Sequence, residues 1–83
     1  MMVNINKQVI KIIRSVGMSE KAFLIFYSIA KNEEIYPENE ENVYIIVQWL
    51  IINGYVIEDF SESDTLFKLT IKGEEFIETI ENQ

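Results

Sequence analysis

The stretch from Glu20 to Lys31 constrains this chain more than any other. Ala22, Phe23, Leu24, Ile25, Phe26, Tyr27, Ile29 and Ala30 make a helix that is apolar nearly all round. Ser19 ahead of it is a good N-cap, and Glu20 falls in the first turn, where a carboxylate suits the helix dipole. A helix with no polar face is buried on most sides. The chain has 83 residues, enough for one hydrophobic core and no second one. This segment is therefore expected to be the central helix, or one that also faces another subunit. Residues 1–83 read as a single domain.

The remaining elements must wrap around it. Ile5, Val9, Ile12, Ile13 and Val16 recur on one helical face, with Asn4 or Asn6 as cap and Gly17 as a left-handed stop. Lys7, Lys11 and Arg14 form a basic stripe on the same helix. Residues 32–42 break the pattern with acids, Asn and the single Pro37, and Ile35-Tyr36 could make a very short edge strand. Asn39 can cap a third helix that opens with Glu40 and Glu41 and runs through Val43 to Ile52, where Asn53-Gly54 stops it. Tyr55 to Phe60 and Leu66 to Ile71 then read as two strands, with Phe67, Leu69 and Ile71 alternating against Lys68 and Thr70. The short polar turn Ser61 to Thr65 makes them a hairpin. Thr70 or Lys72-Gly73 leads into a last helix, Glu74 to about Glu81, which turns Phe76, Ile77 and Ile80 inward.

Composition narrows the chemistry. Hydrophobic residues make up 48% of the chain, too many for a disordered one. With no Cys there are no disulfides, no thiol nucleophile and no Cys-type zinc site. With no His the usual neutral-pH proton shuttle and the commonest metal ligand are missing. The three glycines are isolated and form no phosphate loop, and no Ser has a His base. The acidic run Glu58 to Asp64 lacks the glycine and spacing of a calcium loop. No catalytic, cofactor or metal site is expected, and an enzyme is not. The longest apolar run, Ala22 to Tyr27, is six residues where a membrane span needs about 20. The N-terminus does not look like a signal peptide, so cytoplasmic residence is expected.

The net charge of −7 is unevenly spread. Residues 1–31 carry Lys7, Lys11, Arg14, Lys21 and Lys31 against Glu20 alone, whereas Lys68 and Lys72 face all the other acids in residues 32–83. Such asymmetry bears on partners rather than on fold.

Three helices, a hairpin and a short helix is the order of a winged-helix domain. The run Val43-x-x-x-Val47-x-x-Leu50-x-x-x-Gly54-Tyr55-Val56 resembles the recognition helix and first wing strand of winged-helix regulators. The run Phe67-x-Leu69-Thr70-x-Lys72-Gly73-x-x-Phe76 looks like the end of the wing and the last helix of MarR- and PadR-like proteins. The resemblance covers residues 43–80. It implies an α+β, winged helix-like fold with a two- or three-stranded wing, and a third helix that reads DNA.

The chemistry departs from that implication. The approach to the third helix carries Glu38, Glu40 and Glu41, the wing tip carries Glu62 and Asp64, and no basic residue lies between Lys31 and Lys68. Carboxylates at these places repel phosphate. If Val43, Ile46, Val47 and Leu50 point inward, then Tyr44, Ile45, Trp49 and Ile52 form an outward apolar stripe, and Trp and Tyr are the residue types that dominate protein interfaces. The expected function is therefore a small regulatory protein, an adaptor, transcription-associated regulator or phage-type inhibitor, that contacts another protein or a second copy of itself. The alternatives are a dimeric DNA-binding regulator, with Lys7, Lys11, Arg14, Lys68 and Lys72 on the phosphates, and an acidic DNA mimic.

Overall fold

The computed structural model describes residues 5–31, 40–59 and 66–82. They form an α+β arrangement in the order α1 (Lys7–Ser15), α2 (Glu20–Ala30), α3 (Glu40–Ile52), β1 (Val56–Asp59), β2 (Leu66–Leu69) and α4 (Ile71–Glu81). The strands pair antiparallel in one two-stranded sheet, Val56 opposite Leu69 and Asp59 opposite Leu66. The expected edge strand at Ile35-Tyr36, the Asn39 cap, and the turn from Ser61 to Thr65 lie outside the described residues.

Helix α2 is the hub. It touches all three other helices and β2, and Phe23 and Phe26 are fully buried, with Ala22, Ile25, Tyr27 and Ile29 nearly so. Leu24 is the exception, 45% exposed. The rest of the core comes from Val9 and Ile13 of α1, Val47 and Leu50 of α3, Val56 of β1, Ile77 and Ile80 of α4, and Met18 and Tyr55 from the turns after α1 and α3.

The helix ends follow local chemistry. Asn6 caps α1, its side chain accepting the Val9 amide at 3.0 Å, and Ser19 caps α2 by accepting the Ala22 amide at 3.0 Å. The ends of α1 and α3 share one device. Gly17 (φ +78°) and Gly54 (φ +80°) adopt the left-handed conformation. Gly17 donates to the Arg14 carbonyl and Met18 to the Ile13 carbonyl; Gly54 donates to Ile51 and Tyr55 to Leu50. These are Schellman turns, which bring the second residue past the cap against the helix face. Both pairs so formed, Met18 with Ile13 and Tyr55 with Leu50, are buried.

The second strand and last helix divide differently from the expectation. Strand β2 ends at Leu69, and α4 begins at Ile71 rather than Glu74. Ile71 is thus the first helical residue, 75% exposed, and not an inward strand position. The reason is the two-way use of the Thr70 hydroxyl. It accepts the Gly73 amide, capping α4, and donates to the Gly54 carbonyl, clamping α4 to the turn after α3. Thr70→Val keeps the shape and loses both bonds. It should lower stability by about 1–2 kcal/mol, read as a lower urea midpoint; an unchanged midpoint would contradict the clamp.

Candidate functional site

Helix α3 is apolar on more than one side, so its orientation is set by packing. Val47 and Leu50 are buried, and Val43 and Ile46 are partly so. The opposite face carries Tyr44 (65% exposed), Ile45 (58%) and Ile52 (80%). Trp49 differs from these three. It lies about 140° round the helix from Tyr44, at the border of the face, and is half-buried. Its ring stacks on Tyr55 with centroids 6.1 Å apart, and Tyr55 in turn meets Phe26 and Phe76 at 5.6 and 5.4 Å. Trp49 therefore anchors α3 to the aromatic core while its edge joins the exposed face.

Two features of the face escape a residue-by-residue reading of the sequence. Gln48 sits in its middle, four residues from both Tyr44 and Ile52; that spacing was the available signal. Beside Ile45 a half-open, mostly apolar groove of about 180 Å³ runs between α3 and the α1–α2 turn, lined by Gly17, Ser19, Ala22, Ile45, Ile46 and Trp49. It exists only because the two helices meet there.

The charged candidates fall into three groups. Lys7, Lys11 and Arg14 are exposed along α1. Lys68 and Lys72 are engaged internally. Lys68 pairs with Asp59 at 3.5 Å. The Lys72 ammonium donates to the Asn53 carbonyl at 2.7 Å and lies 4.5 Å from the centre of the Tyr55 ring. It thus closes the C-terminal end of α3, where a cation suits the dipole. Of the acidic candidates, Glu40 and Glu41 open α3, while Glu38, Glu62 and Asp64 lie outside the described residues. Lys72→Met should cost about 1 kcal/mol through loss of the carbonyl bond and ring contact, whereas Lys68→Met should cost less than about 0.5 kcal/mol, its pair being exposed. Thermal melting of the two variants distinguishes them; equal losses would remove the structural role given to Lys72.

Burial raises the Tyr55 phenol above its ordinary pKa of 10.0. The hydrogen bond that the Lys31 ammonium donates to Glu81, at 2.7 Å, raises its pKa above 10.5. Both groups hold their proton more tightly folded than unfolded. The stability they supply is complete below about pH 10 and is lost as pH rises beyond it. Thermal melts between pH 8 and 11.5 should show a decline beginning near pH 10, smaller in Tyr55→Phe.

Among the described residues no three acidic groups gather closely enough to hold a metal ion, and no helix is long and apolar enough to cross a membrane. Comparison with protein-family models, curated proteins and solved structures finds no match for the chain.

Proposed function

We propose that this is a small winged-helix-like regulatory protein that works mainly through protein contacts, with the outer face of α3 as the interface. The order of three helices, a two-stranded hairpin and a closing helix supports the winged-helix reading, as does the Thr70 clamp joining the turn after α3 to the last helix. One observation carries the functional reading: the exposed face of the would-be recognition helix presents Tyr44, Ile45 and Ile52 and no cation. A duplex-reading helix needs phosphate contacts around it, and the two wing-side lysines already have partners within the chain, Asp59 and the Asn53 carbonyl.

A photo-crosslinking residue at Tyr44 or Ile52, activated in the native host, tests the reading. The expected product is a covalent adduct with protein. Adducts with nucleic acid from both positions would overturn it. The DNA-binding alternative has one observation in its favour, the exposed stripe of Lys7, Lys11 and Arg14 on α1. It requires duplex affinity that falls steeply with salt and is lost in the triple alanine variant of that stripe.

A further inference from the structure

We infer that the exposed face of α3 is closed by the same face of a second copy of the chain, the two helices running antiparallel about a two-fold axis at Gln48. This rests on the protein-contact reading of that face and names its occupant.

The first argument is symmetry. A two-fold interface needs a patch that is complementary to itself. Tyr44 and Ile52 stand four residues before and after Gln48. Antiparallel pairing about Gln48 sets Tyr44 of each copy against Ile52 of the other and the two Gln48 amides against each other. An amide both donates and accepts, so the central polar pair satisfies itself and fixes the register, as a lone polar residue does in a helical seam. The groove beside Ile45 and Trp49 offers a hollow at the edge of that seam for an apolar side chain of the second copy.

The second argument is charge. No charged residue occurs from Asn42 to Ile57, so the seam desolvates no ion. The charges stand at its two ends with opposite sign. Glu40 and Glu41 open α3, and the Lys72 ammonium sits at its close on the Asn53 carbonyl and the Tyr55 ring. The antiparallel register carries residues 40 and 41 past Ile52 of the second copy, toward the Asn53-Gly54 turn that its Lys72 closes. The helix dipoles then also oppose head to tail. A parallel pair would stack acid on acid and ammonium on ammonium. The third argument is size. A seam of two helical turns per copy lies at the small end of specific interfaces, below roughly 1,200 Å², so association in the micromolar range is expected.

The absence of Cys from the chain makes the test direct. Under mild oxidation Gln48→Cys should form a disulfide-linked dimer, and Lys11→Cys, away from the seam, should not. An equimolar mixture of Tyr44→Cys and Ile52→Cys should give the mixed disulfide in excess over either symmetric one. In sedimentation equilibrium over about 5–500 µM, the wild type should pass from monomer to dimer. Ile45→Asp, a change at a 58% exposed position, should weaken the dimer at least about tenfold with an unaltered circular dichroism spectrum. A strict monomer across that range, or symmetric disulfides outrunning the mixed one, would overturn the inference. If the photo-crosslinker at Tyr44 then still reached another protein, the reading of α3 as a protein interface would survive without self-pairing. Nucleic acid adducts there would remove both.

Discussion

Phe26→Ala is expected to lower stability by about 3–5 kcal/mol, the range for emptying a fully buried aromatic site. Phe26 has no exposed surface and lies between Tyr55, 5.6 Å away, and Phe76, 6.0 Å away. Its ring therefore joins α2 to the start of the hairpin and to α4 at once. Neighbours tied to three elements cannot collapse together into the hole without moving all three, which places the cost toward the upper end. A chain of 83 residues has about 4–12 kcal/mol to lose. The variant should melt at least about 12 °C below the wild type, or be unfolded at 37 °C. Leu24→Ala, on the same helix but 45% exposed, should cost much less. A loss below about 1 kcal/mol at Phe26 would mean that α2 is not the hub of the fold.

Gly73→Ala should also be strongly destabilising, against the usual sign of the exchange. Within a helix, alanine is ordinarily favoured over glycine by up to about 1 kcal/mol. Here a Cβ at residue 73 would collide with the Tyr55 carbonyl oxygen and crowd the Leu69 Cβ at 3.4 Å. The carbonyl is poorly placed to retreat, because it accepts the Thr70 amide at 3.1 Å. The first turn of α4 would have to lift from the turn after α3, stretching the Thr70 bonds to Gly54 and Gly73. A net loss of about 2–3 kcal/mol is expected, read from urea unfolding against Glu75→Ala, an exposed helical position. A variant as stable as the wild type would show that α4 docks less closely than the structure has it.

Gly73 also shows what kind of information a sequence carries. As a letter it is one of three isolated glycines, and its neighbours Thr70 and Lys72 point only to a helix start nearby. Its need for a missing Cβ comes from a backbone oxygen 18 residues earlier. The same distance effect misplaced the boundary at Ile71. Alternation of Phe67, Leu69 and Ile71 is a sound strand signal, but it was overruled by a hydroxyl with partners on two sides of the chain. Lys68 and Lys72 read as available cations because nothing local pairs them; Asp59 and the Asn53 carbonyl reach them only through the hairpin register and the packing of α4. Met18, nearly fully buried in the α1–α2 turn, carries no such signal, because a single apolar residue in a turn has no periodicity.

Signals confined to a few residues were legible. Ser19 and Thr70 as caps, Gly17 and Gly54 as left-handed stops, and the hairpin and helix order all rest on hydrogen bonds spanning five residues or fewer, or on hydrophobic period. The nearly all-apolar segment from Ala22 to Ala30 likewise called by itself for burial on most sides, as a central helix or one facing another subunit, and the structure places it at the centre. The orientation of α3 was of another kind. Its apolar residues cover more than one face, so local preference left open which of them would go inside. The tertiary structure decided it by stacking Trp49 on Tyr55 and closing Val47 and Leu50 into the core. Tyr44, Ile45 and Ile52 stayed outside because an 83-residue chain has only one core to offer, and α2 already fills its centre.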